Sequence, residues 1–383
     1  SGNTVEYGAA GATTRTMASR AGPGTYLHLL FSGVAPQRMG TTTTTVLGNL
    51  TINNGATVSA NTGTRNINIT GNWINNLGGV FQPQTSLVTF NATAANQTIS
   101  SPAGGETFYD LTINNTNPGG TVTANGGIQI TNARTLRITA GIFDMQSNTL
   151  TQISGAGNFT ATGGELRMAK LGVTLPELTG TYNITGGTIT FNGTGAQTIR
   201  SLNVSPANYN HITLSGVGTK TLAGNIAVRG DWTNSGSTLA GAFTVSFTGT
   251  GTQTITNTAG ENFNSVTVNT TGPLTLSAAT DITISNTLTM TSGSINLNGR
   301  TLQLGSGAGA TLTRAAGICY GGTFKRYFPV AAISSTVAPL YGLFPVGSNI
   351  SYRPVEINST VNPTGAGYVS VIHNDFNTAP DVS

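Results

Sequence analysis

Apolar residues along this chain fall in short runs that alternate strictly with polar ones. Leu50-Thr51-Ile52, Ile67-Asn68-Ile69, Leu111-Thr112-Ile113, Ile128-Gln129-Ile130, Leu136-Arg137-Ile138, Ile282-Thr283-Ile284 and Leu302-Gln303-Leu304 share this form. A period of two places every apolar side chain of a run on one face, so each run predicts a short strand with one buried side. Gly, Asn and Ser separate the runs and supply turns and left-handed corners. The gaps are too short for crossover helices, so either a hairpin meander or a stack of strand–corner–strand rungs satisfies the pattern.

Longer repeats favour the stack. One unit reads Gly71-Asn72-Trp73-Ile74-Asn75, Phe81, Val88-Thr89-Phe90-Asn91, Gln97-Thr98-Ile99 and Phe108-Tyr109-Asp110-Leu111-Thr112-Ile113. A second reads Gly230-Asp231-Trp232-Thr233-Asn234, Phe243, Val245-Ser246-Phe247-Thr248, Gln253-Thr254-Ile255 and Phe263-Asn264-Ser265-Val266-Thr267-Val268. A third lacks the Trp but keeps Ile189-Thr190-Phe191-Asn192, Gln197-Thr198-Ile199 and Tyr209-Asn210-His211-Ile212-Thr213-Leu214. A worn copy, Val5-Glu6-Tyr7, Thr16-Met17 and Tyr26-Leu27-His28-Leu29, opens the chain, which starts mid-pattern at Ser1 like a piece of something longer. Such units cannot bury their apolar face alone, and end-to-end stacking gives them one continuous core. The expected fold is all-β: a parallel β-solenoid rod over residues 1–316, then a small antiparallel β-module over 317–383. An array of β-sandwich domains is the alternative. The module is marked by aromatic and Pro clusters in Phe324-Lys325-Arg326-Tyr327-Phe328-Pro329, Leu343-Phe344-Pro345-Val346-Gly347 and Tyr352-Arg353-Pro354-Val355. It is expected to cap the rod.

Composition sharpens this. Charged residues make up 7% of 383 residues, against roughly 25% in ordinary domains. With 52 Gly and many Thr, Asn and Ser, helical architectures are excluded. The net charge of +4 comes from 16 cations and 12 anions scattered along the chain. Without a dense basic stripe, nucleic acid is not an expected partner. No apolar run reaches the roughly 18 residues that a membrane-spanning helix needs.

The Gly-Asn-Trp, Val-Thr-Phe-Asn, Gln-Thr-Ile and Phe-Tyr-x-Leu-Thr-Ile-Asn unit resembles repeats in very large surface and secreted proteins of Bacteroidota. The Phe-Lys-Arg-Tyr, Phe-Pro-Val-Gly and Tyr-Arg-Pro-Val segments resemble a module that often follows them. The resemblance implies export, commonly by the type IX secretion route, and an extracellular role as adhesin, filament or scaffold. It implies no chemistry. The expected partners are other copies of the chain or further repeats of a longer one, with surface polysaccharide as an external ligand.

Candidate chemistry is sparse, and the expectation is a non-enzymatic protein with no catalytic, cofactor or metal site. The carboxylates are Glu6, Glu106, Asp110, Asp144, Glu165, Glu177, Asp231, Glu261, Asp281, Glu356, Asp375 and Asp381, each expected at an exposed corner. Glu261 with Asp281, or Asp144 with Glu165, lie one turn apart and are the pairs a glycosidase-like site would use. A polysaccharide-binding or polysaccharide-cleaving β-helix is therefore one alternative function. His28 and His211 occupy matching outward strand positions, and Cys319 reads as an apolar filler. Phe90, Phe191 and Phe247 read as core residues. Trp73 and Trp232 share one slot; they either staple a lateral segment onto the rod or stack on sugar rings. Thr121-Val122-Thr123, Thr188-Ile189-Thr190, Thr254-Ile255-Thr256 and Thr311-Leu312-Thr313 raise an ice-binding alternative, which needs one such pair per turn in register.

Overall fold

Each alternating run forms a strand of mostly three to six residues whose buried and half-buried positions alternate, as in Ser86–Phe90 and Asp110–Asn114. The computed structural model describes residues 3–374, apart from residues 10, 12–13, 18–23, 41–42, 62, 64 and 102–103. Asp375 and Asp381 lie outside the described residues. The protein is all-β: a parallel β-solenoid of about 13 turns with small antiparallel sheets at its end. It divides into two units, residues 1–197 and 198–383.

In the first unit the chain winds through three strand columns per turn. One column runs through His28–Gly33, Leu50–Ile52, Trp73–Asn75, Gln97–Ser100, Thr121–Ala124 and Ile142–Asp144, every neighbour parallel. Leu29 pairs with Leu50, Leu50 with Trp73 and Trp73 with Ile99, so turns are 21, 23 and 26 residues long. A second column contains Arg65–Ile69, Ser86–Phe90, Asp110–Asn114 and Thr135–Ala140. A third contains Gln37–Arg38, Thr57–Ser59 and Val80–Gln82, and after them Glu106–Phe108, Ile128–Ile130 and Leu150–Gln152. Successive turns sit about 4.8 Å apart.

Parallel pairing in register stacks like positions on like. Ile67, Val88, Leu111, Leu136, Phe159 and Tyr182 form one buried file; Ile69, Phe90, Ile113 and Ile138 form the next. At about 25 cal/mol per Å² of buried apolar surface, such files are the main stabilising term. Strands Asn158–Met168 and Tyr182–Phe191 run through a corner unbroken and join two columns. That corner needs glycine. Gly141, Gly164 and Gly187 stack there at φ 74°, 65° and 77°, and a Cβ on Gly187 would lie 2.5 Å from the Gly163 oxygen.

The second unit repeats the plan. Its first column holds His211–Leu214, Trp232–Asn234, Gln253–Thr256, Leu274–Leu276, Ile295–Asn296 and Cys319–Tyr320. Ile226, Val245, Val266, Leu288 and Leu312 form a buried file of its second column. Parallel pairing runs past residue 316: Cys319–Tyr320 and Thr323–Arg326 still stack on the preceding turn. The first strands of the expected terminal module are therefore also the last strands of the solenoid.

The remaining segment then closes the last turn. Gly367–Ile372 pairs antiparallel with Thr323–Phe328. Cys319 N–H donates to the Pro345 carbonyl, and Leu312 N–H to the Pro339 carbonyl. Each of the last three strands thus meets a backbone partner instead of presenting a free edge. Arg326, fully buried, anchors this closure. Its guanidinium donates to the Leu340, Leu343, Ala310 and Pro339 carbonyls, and burial lowers its pKa to about 10.

Candidate functional site

Most of the apolar residues that mark the repeats are inside, Phe243 at 38% exposed being an exception. Trp73 and Trp232 are 0% exposed, each an inward position of its strand. They neither staple a lateral segment nor present a face to a sugar. Trp73 packs edge-on against Phe81 and Phe108 at 4.7 and 5.4 Å between ring centres; Trp232 packs the same way on Phe263 at 5.4 Å. Phe90, Phe191 and Phe247 are also 0% exposed.

Each indole N–H meets a buried carboxyl. Trp73 Nε1 donates to Glu106 Oε2 at 2.8 Å, and Asn75 Nδ2 donates to the same oxygen at 2.9 Å. In the second unit Trp232 Nε1 and Asn234 Nδ2 donate to Glu261 Oε2 at 2.8 and 3.0 Å. Glu106 and Glu261 are each 2% exposed, which corrects the expectation that every carboxylate sits at an exposed corner. Burial pushes the Glu106 carboxyl up to about 7, against the opposing hydrogen bonds from Asn75, Trp73 and the Thr107 N–H. Burial raises the Glu261 pKa too, opposed by Trp232, Asn234 and Asn257. A signal for both was present in the sequence. A Glu-x-Phe follows Gln-Thr-Ile in the two copies that carry Trp, and the third copy has neither Trp nor Glu there.

The Gln of Gln-Thr-Ile is a second buried device. Gln97 Nε2 donates to the Ile69 and Gly71 carbonyls one turn back, both at 2.8 Å, while its Oε1 accepts the Ala92 N–H at 3.2 Å. Gln197 does the same with Met168, Lys170 and Gly193, and Gln253 with Val228, Gly230 and Gly249. At a corner where the chain leaves one strand, these amides partner the Gly71, Lys170 and Gly230 carbonyls and one N–H each, and add a second hydrogen bond to the Ile69, Met168 and Val228 carbonyls, which also accept the Asn91, Asn192 and Thr248 N–H groups.

Asn and Asp at or just before strand starts, half-buried except for the exposed Asp281, form a third device. Asn49, Asn72, Asp110, Asn158, Asp231 and Asp281 each accept, through Oδ1, the backbone N–H of a residue one turn on. His28 and His211 occupy matching places, with Nδ1 accepting the Asn49 and Asp231 N–H groups at 3.0 and 2.9 Å. The buried Cys319 thiol has its pKa raised by desolvation.

The carboxylate pairs named from the sequence do not form acid–base dyads. Asp144 pairs in register with Arg167, not Glu165, and Glu165 is held by both Arg167 nitrogens at 2.8 and 2.9 Å and by the Thr190 hydroxyl. Glu261 points inward, whereas Asp281 sits on an exposed corner capping Thr301 N–H. The Thr pairs do not make a continuous rank in the first unit: Thr98, Thr123, Asp144, Arg167 and Thr190 are register neighbours, so two charges interrupt the file. Among the described residues, no three His, Cys, Asp or Glu side chains gather to hold a metal, and no helix is long and apolar enough to cross a membrane.

One outward-facing feature concentrates charge. On the outer side of the second column in the first unit, Tyr109, Asp110, Arg134 and Arg137 line a groove of about 600 Å³ together with Asn66, Leu87 and Thr112. Arg134 lies over the Tyr109 ring with Cζ 4.3 Å from its centre, and Arg137 Nη1 is 3.6 Å from Asp110 Oδ1. No family model, curated protein or solved structure matches the chain.

Proposed function

We propose that this chain is a non-enzymatic segment of an extracellular bacterial surface protein, a stalk or filament segment of an adhesin exported by the type IX route. It works beside further repeats of a longer chain or other copies of itself. The observation that supports this reading is the use made of the repeated residues. In both units Trp, Asn, Glu and Gln of the repeat are buried and committed to one another or to the backbone of adjacent turns. A repeat whose signature side chains all serve stacking suits a protein that acts by extending a surface, as solenoids do. Gold-labelled antibodies raised against the chain should decorate the outside of intact cells that make it, and external protease should release the label. Label that appears only after the cells are permeabilised refutes the reading.

A further inference from the structure

We propose that the groove on the outer side of the second column in the first unit binds an acidic oligosaccharide, with Arg134 and Arg137 holding its carboxylate or sulfate groups. The proposal rests on reading the chain as an extracellular protein that meets surface polysaccharide, and it gives that reading a ligand class.

Charge placement is the first observation. Asp110, Arg134 and Arg137 line this groove; in a second outward cluster of the same unit, Asp144, Glu165 and Arg167, the guanidinium is already taken up by Glu165. Arg134 has its Cζ 4.3 Å from the centre of the Tyr109 ring, a cation–π contact that holds the guanidinium at the groove, where its N–H groups can meet an anion. Asp110 Oδ1 already accepts the Thr135 N–H at 2.9 Å, so its 3.6 Å approach to Arg137 is a loose one. The Arg137 side chain stays 42% exposed, with donors left over for a bidentate partner.

The second observation is a polar file of which Thr112 and Arg137 line the groove and which continues beyond it on both sides. Asn68, Thr89, Thr112, Arg137 and Thr160 are register neighbours on successive strands and alternate with the buried file. They set one half-buried polar side chain per turn, at a spacing of about 4.8 Å. That spacing is close to the length of one sugar ring, so an extended glycan lying along the stack meets one hydrogen-bonding side chain per residue. Leu87 and the Tyr109 edge add apolar surface of the kind that packs on a sugar face. A nucleic acid would call for a dense basic stripe with several phosphate contacts. Two arginines balanced by an aspartate fit an occasional acidic group on an otherwise neutral polymer.

The test uses the purified full chain and isothermal titration against four probes: a polygalacturonate oligomer, a heparin oligosaccharide, a neutral cello-oligosaccharide and a short single-stranded oligonucleotide. At least one acidic saccharide should bind, weaken with added salt, and outcompete the neutral sugar and the oligonucleotide. Arg134→Ala and Arg137→Gln should each reduce its affinity at least tenfold, while Arg353→Ala, an exposed cation on the other unit, should not. Melting curves matching the parent rule out unfolding of the variants. Failure of both acidic probes overturns the proposal. Equal binding of the oligonucleotide, or equal loss in the Arg353 control, overturns it in favour of general attraction to a chain of net charge +4. Because binding is measured in solution, its failure leaves the surface placement of the protein standing.

Discussion

Glu106→Gln should make the first unit insensitive to a pH change that weakens the parent protein. In the folded state burial raises the Glu106 carboxyl from 4.5 to about 7. The neutral form is therefore the one the fold prefers. Its contribution is fully present below pH 4.5 and is lost as pH rises through about 7, because the unfolded chain ionises first. At 1.36 kcal/mol per pKa unit, the loss across that window is about 3 kcal/mol. A glutamine can keep the Trp73 and Asn75 hydrogen bonds through its carbonyl oxygen. It forfeits the weaker 3.3 Å contact from the Thr107 N–H to Oε1, worth about 1 kcal/mol. Near pH 4 the variant should equal the parent or fall slightly below it; near pH 9 it should exceed it by about 2 kcal/mol. Hydrogen exchange of the Trp73–Asn75 and Glu106–Phe108 amides, read by mass spectrometry, reports this locally. The variant-minus-parent difference at each pH removes the intrinsic exchange rate. A difference that stays flat from pH 4 to pH 9 would refute the reasoning, since the carboxyl would then not be titrating inside the fold.

Two further substitutions test the other buried devices. Gln253→Leu fills the same space but leaves the Gly230 carbonyl and the Gly249 N–H without their partner, while the Val228 carbonyl keeps the Thr248 N–H. At about 1–3 kcal/mol for each orphaned group, the urea midpoint should drop well beyond that of the outward Thr254→Val, which should move by about 0.5 kcal/mol or less. Arg326→Met removes four hydrogen bonds to carbonyls, of which Pro339 and Leu340 keep a backbone donor, so limited proteolysis should cut residues 330–340 much faster than in the parent, with the preceding turns still resistant.

Fold class was legible because a solenoid writes itself as a short-range signal. A period of two needs only neighbouring residues, and parallel stacking in register needs only that each run resemble the one before. Leu50, Trp73 and Ile99 share one pattern slot and occupy one file. The polar interior was not legible in the same way. Glu106 looks like any corner carboxylate until Trp73, 33 positions earlier, is known to end beside it. The distance along the chain exceeds one turn, so no local pattern joins them. The hint was the shared presence of Trp and Glu in two copies and their shared absence in a third. The groove was hidden for a related reason: Tyr109 and Arg134 meet only because Asp110 and Thr135 are one turn apart in register.

The buried polar groups also explain why so weakly charged a chain keeps a definite register. Apolar files alone forbid a slip of one residue, which would turn every apolar side chain outward, but tolerate a slip of two, since Leu, Ile and Val exchange places at modest cost. A Gln whose amide must meet two carbonyls and one N–H does not tolerate that slip, because it leaves the buried amide, one carbonyl and the N–H unpaired. Gln97 and Gln253 fix the corner next to a Trp–Asn–Glu cluster, while Gln197 stands without one. The Gln is therefore the general device, and the cluster an addition to it. Turn length varies from 19 residues, between Ile226 and Val245, to 26, between Trp73 and Ile99, without disturbing the files on either side. Corners absorb the difference in length, and the amide on the following strand restores the alignment.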